Sequence, residues 1–105
     1  MEFKEELKLV LKELGSKIEY ERFLMSKGKC EFAKMLGMHY HTYMSFLKQD
    51  KITRYQNISA IAVFLVNRGV DVEDLSRKIV DLMNKYVRLD IVDMEFVAIK
   101  QKEKS

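Results

Sequence analysis

The sequence predicts an all-α fold: a five- to six-helix bundle containing a helix-turn-helix, followed by a C-terminal β-strand used in dimerisation. Three observations lead there. Apolar residues recur at three- and four-residue spacing through most of the chain, no proline interrupts them, and an alternation of period two begins only after Arg88. With 105 residues, 48% of them hydrophobic and 33% charged, the chain has material for one modest core and so for one compact domain.

Phe3, Leu7, Val10, Leu11 and Leu14 form the first stripe, and Gly15 stands where a left-handed C-terminal cap belongs. Ser16 and Glu19 have capping-box spacing and open a second helix carrying Tyr20, Phe23 and Leu24 toward Gly28. The alternative is a single kinked helix through both segments. Glu31 to Leu36 and Tyr40 to Lys48 are two short helices separated at Gly37. Thr53 and Gln56 repeat the capping-box pattern ahead of Ile58, Ile61, Ala62 and Leu65, a stripe that ends near Gly69. Asp71 caps the last long helix, whose stripe is Val72, Leu75, Ile79, Leu82, Met83 and Tyr86.

Residues 1–88 thus make the helical domain, with its motif at 29–48, and residues 89–105 the dimerisation strand and a charged tail. In the strand, Val92, Met94, Phe96 and Ala98 alternate with Asp93, Glu95, Val97 and Ile99. A helical reading through Leu89, Val92, Phe96 and Ile99 competes with it. Unpaired, a lone strand leaves its backbone groups unsatisfied, so a second copy is the expected partner. If the strand is not the interface, the Phe3, Leu7, Val10 and Leu14 stripe is the expected substitute.

Composition also narrows the function. The N-terminus alternates charged and apolar residues, unlike a signal peptide, and no run approaches the roughly 20 apolar residues of a membrane span, so a cytoplasmic protein with no membrane partner is expected. Cys30 is the single cysteine, expected to be a buried, inert thiol. His39 and His41 lie two apart and diverge on a helix, so neither a metal nor another cofactor is expected. No phosphate-binding glycine loop, paired carboxylates or activated nucleophile is recognisable, and the chain is not expected to be an enzyme. The net charge is +3, but residues 26–54 hold Lys27, Lys29, Lys34, Lys48, Lys51 and Arg54 against only Glu31 and Asp50. The flanks are close to neutral, so the positive charge is concentrated on the segment around Gly37.

That segment, "EFAKMLGMHYHTYMSFLKQDK", meets three demands of two short helices crossing steeply at a tight turn. Gly37 supplies a residue free to take left-handed backbone. Ala33, one helical turn earlier, is small where the helices cross. Phe32, Leu36, Met38, Tyr43 and Phe46 can turn toward a common core, which pushes His39, Tyr40, His41, Thr42, Met44, Ser45 and Lys48 outward.

Over residues 17 to 76 this pattern resembles the lambda-repressor and Cro family of helix-turn-helix DNA-binding proteins, with Ala33, Gly37, Met38, Tyr43 and Phe46 at the matching small, glycine and apolar positions. "NISAIAVFL" and "VDVEDL" are similar to the family's downstream helix and the start of its last one. The resemblance implies a transcription regulator, a dimeric repressor that lays the 40–48 helix in the major groove of double-stranded DNA. Base contacts would fall on His39, Tyr40, His41 and Ser45, with Thr42 on the same surface. Lys29, Lys48, Lys51 and Arg54 would meet phosphates. A reading of a different class makes the motif a scaffold for a protein partner, as an inhibitor or antitoxin-like protein, with Tyr40, Met44 and Leu47 as its patch.

Overall fold

The computed structural model describes residues 3–51 and 53–90, with side chains from 5 to 85 in those stretches. They form five helices: α1 (Phe3–Leu24), α2 (Lys29–Met35), α3 (Tyr40–Lys48), α4 (Tyr55–Asn67) and α5 (Glu73–Asp90). Among the described residues there is no strand. Helix α5 continues through Leu89 and Asp90, the first two residues of the expected strand, and the rest of that segment lies outside the described residues.

α1 is one helix of 22 residues, so Gly15 is not a cap and Ser16 does not open a new element. The stop lies further on, at Ser26, which takes left-handed backbone at φ 55°. There the N–H of Lys27 bonds the carbonyl of Arg22 at 3.3 Å and that of Ser26 bonds Phe23 at 3.0 Å, the paired bonds of a Schellman ending. Gly28 is the N-cap of α2 rather than the end of α1.

Gly15 is buried mid-helix where α3 crosses, and a Cβ there would meet Leu47 Cδ2 and Phe46 Cε2 at 3.5 Å, ordinary contact distance. Alanine therefore fits, and its better helix propensity is expected to stabilise Gly15→Ala by about 0.5 to 1 kcal/mol. A chemical denaturation midpoint above the parent's checks this; a lower one would mean that α3 cannot tolerate the added methyl.

The core is built along the remaining stripes. Leu7, Leu11, Leu14 and Ile18 of α1 meet Val72, Leu75, Ile79, Leu82 and Met83, and α4 adds Ile58, Ile61 and Leu65, all buried. α1 packs chiefly against α5, and also touches α3 and α4. Leu7 and Leu14 are committed to this core, which removes them from any dimer surface. Tyr20, Phe23 and Leu24 are not on the core stripe. They are 62%, 75% and 53% exposed, because an unbroken α1 carries them round to the side opposite Leu11 and Ile18. Phe3 and Tyr86, expected in two of the stripes, have side chains outside the described set.

Among the remaining helix boundaries, α4 has Arg54 as its N-cap with no side-chain cap, and Thr53 is buried, so the expected Thr53–Gln56 box does not form. α4 ends at Gly69, φ 83°, with Schellman bonds from Gly69 to Val66 and from Val70 to Leu65, both 2.9 Å. Asp71 Oδ1 accepts the Glu73 N–H at 3.1 Å at the start of α5. Cys30 is exposed, as the outer neighbour of the buried Phe32 and Ala33 on α2.

Candidate functional site

Gly37 sits between α2 and α3 at φ 78°. Its N–H bonds the carbonyl of Lys34 and the Met38 N–H bonds that of Ala33, both at 3.0 Å, so the turn closes as a Schellman ending with glycine at the left-handed position. Ala33 is fully buried, as its smallness suggests. His39 follows in extended backbone as the N-cap of α3, and its carbonyl accepts the Tyr43 N–H at 3.0 Å.

α3 is then clamped from beneath. Tyr43 and Phe46 are buried, and the Tyr43 hydroxyl donates to Glu19 Oε2 at 2.5 Å. Arg22 completes the pair: its Nε donates to Glu19 Oε2 at 2.7 Å and a terminal nitrogen to Oε1 at 3.1 Å. Its other nitrogen donates to the Lys27 carbonyl at 2.6 Å, tying the network to the end of α1. Burial pushes the Glu19 carboxyl up, but hydrogen bonds from Arg22 and Tyr43, with the charges of Arg22 and Lys29, outweigh it and hold it below the ordinary range. Burial, then the Glu19 carboxylate, raises the Tyr43 phenol.

The sign of the Glu19 shift sets a pH dependence. A carboxyl depressed by folding contributes stability that is present above its ordinary value of 4.5 and is lost as pH falls through the lower folded value. Thermal melts from pH 5 downward are expected to fall more steeply for the parent than for Glu19→Gln, which has no carboxyl to protonate. Parallel curves would show that the network carries no pH-linked stability.

Above the clamped helix lies a groove of about 470 Å³. His39, His41, Thr42 and Ser45 line it from α3, with Gly37, Met38 and Phe46, while Lys51, Thr53, Arg54, Gln56 and Asn57 line it from the loop and the start of α4. The sequence reading gives Thr53 and Gln56 only a capping role and Asn57 none; their one signal as groove residues is their position just after the basic loop. Tyr40, expected beside these residues, is 40% exposed and lies edge-on to His41, with ring centroids 5.7 Å apart, but does not line the groove. Lys48 is exposed in the last turn of α3. Lys29 sits at the start of α2 with its Nζ 4.0 Å from Glu19 Oε1, an ion pair that moderates its charge. Leu47 is half-buried against the core and faces Gly15, and Met44 is half-buried, so Tyr40, Met44 and Leu47 do not form an open patch.

Electrostatics distinguish this groove. α1, α2 and α5 each carry acidic residues in the first turn, whereas α3 and α4, whose starts border the groove, have none and no side-chain cap. The positive ends of both helix dipoles are thus left uncompensated by an acid. α3 ends at Gln49, left-handed at φ 55° and buried, whose Nε2 donates to the Phe46 carbonyl at 2.6 Å. It does at the far end of α3 what Gly37 does at the near end, with a side-chain bond offsetting the backbone strain. Among the described residues no His, Cys, Asp and Glu group could hold a metal ion, and no helix is long and apolar enough to cross a membrane. Set against protein-family models, curated proteins and solved structures, the chain matches none of them.

Proposed function

We propose that this protein is a sequence-specific DNA-binding transcription regulator, a dimeric repressor that lays α3 in the major groove. The supporting observation is the groove itself: hydrogen-bonding side chains His39, His41, Thr42 and Ser45 share it with Lys51 and Arg54, where two helix starts lack acidic residues. Backbone N–H groups at helix starts favour phosphate, and imidazole and hydroxyl groups on an exposed helix face suit base edges. The Tyr43–Glu19–Arg22 clamp holds α3 rigidly on α1, and a fixed helix is what base readout requires.

Duplexes selected from a random pool, then titrated at rising salt, test this. Binding through several phosphates weakens steeply, with a log–log slope of about −0.9 for each phosphate neutralised. A protein that selects no duplex, or whose affinity is flat in salt, is not a DNA reader. His41→Ala or Ser45→Ala is expected to cost about 1 to 3 kcal/mol on the preferred site and to relax the choice of base at one position. Equal losses on selected and random duplex would remove these residues from readout.

A further inference from the structure

The side of α1 turned away from the core carries a second apolar stripe. Leu9 is 56% exposed, Tyr20 62%, Phe23 75% and Leu24 53%, all on a helix whose opposite side is buried. Between them lie Glu13 and Ser16, both exposed, and Lys17 at the edge. A shallow groove of about 460 Å³ runs beside these residues, walled by Tyr20 on one side and Val70 on the other. Neither Glu13 nor Lys17 has an ion-pair partner among the described residues.

We propose that this stripe is the homodimer interface, formed by two α1 helices packed antiparallel about a twofold axis at Ser16. The register follows from the residues. In an antiparallel pair, facing positions have a constant sum, and placing the small Ser16 on the axis sets Leu9 opposite Phe23 of the second copy. The same register puts Glu13 within reach of Lys17 of the second copy, on the same side of the contact, so each chain supplies one acid and one base to two equivalent ion pairs. Tyr20 then lies against the polar middle of the other helix, where its hydroxyl can stay hydrated. An apolar patch at each end and complementary charges at the centre make the surface self-complementary, which a foreign partner has no reason to match. A single helix pair of this length sits at the small end of specific interfaces, so the dimer is weak, dissociating in the micromolar range or above.

The interface deepens the dimeric reading given above but is measured without DNA. Sedimentation equilibrium of the full chain from micromolar to near-millimolar concentration is expected to show a reversible dimer. Phe23→Glu is expected to weaken it at least tenfold while melting like the parent, because Phe23 contributes little to its own core. A disulfide supplies the geometric test. Two helices 8–10 Å apart bring axial Cα atoms within disulfide range, so Ser16→Cys in a Cys30→Ser background should cross-link on mild oxidation, whereas Lys78→Cys on α5 should not. A parent that stays monomeric, a Phe23→Glu variant that dimerises as the parent does, or failure of Ser16→Cys to cross-link overturns this interface. A monomer that still binds DNA with a steep salt dependence would do so while leaving the groove reading intact.

Discussion

Phe32→Ala is expected to destabilise the protein by about 4 kcal/mol, a large share of what holds a domain of this size together. The Phe32 side chain is fully buried, with its ring centroid 5.9 Å from that of Tyr43 and 5.3 Å from that of Phe64, both at edge-to-face angles. α2, α3 and α4 therefore meet at one ring. α2 has only seven residues and cannot persist as an isolated helix, so burial of Phe32 and Ala33 is what holds it in place. Truncating the ring removes its transfer free energy, leaves a cavity and strips Tyr43 of its aromatic neighbour. Urea denaturation is the measurement: the midpoint should drop sharply at unchanged m-value. A loss below about 1 kcal/mol would mean the three helices are held by other contacts.

Gly37→Val is expected to cost about 2 kcal/mol, through the strain of left-handed backbone. At φ 78°, Gly37 lies where a β-branched residue is strongly disfavoured, yet an added Cβ would meet nothing within 4 Å. Crowding at the Cβ is thus excluded as the cause. The substitutions should rank by tolerance of left-handed backbone, with Asn mildest, Ala worse and Val worst. Denaturation midpoints in any other order would show that the turn relaxes to a different backbone. Because Gly37 also borders the groove, the DNA affinity proposed for it should fall with the same ranking as the turn loses its shape.

Features whose cause lies within about one helical turn were legible in the sequence. Gly37 and Gly69 are left-handed because the paired bonds of their helix endings need that conformation, and a glycine supplies it without strain. Asp71 accepts from the N–H two residues on, a bond that needs no tertiary partner. The stripe Ile58, Ile61 and Leu65 is buried because a 3.6-residue period puts those positions on one face whatever lies against it. The gathering of His39, His41, Thr42 and Ser45 at one groove likewise follows from the glycine bend and the apolar seam beneath.

Where two local signals competed, only the tertiary structure decided. Gly15 and Ser16 read locally as a stop and a start, but burial of Leu14 and Ile18 on either side of them keeps α1 continuous, since packing outweighs the roughly 1 kcal/mol cost of a mid-helix glycine. Glu19 has capping-box spacing from Ser16, yet its carboxylate accepts from Tyr43, 24 positions away. No local rule links those two residues; the crossing of α1 and α3 does. Thr53 likewise does not take its expected capping role: it is buried at the groove beside α3, while Arg54 is the N-cap. Sequence alone thus determined the helical character of the described residues, the bend at Gly37 and the residues displayed behind it, because each depends on backbone preference and periodicity close by. Tertiary structure decided which helix runs on, what clamps α3 to α1, and that Tyr20, Phe23 and Leu24 face outward, because each depends on which surface another helix comes to cover.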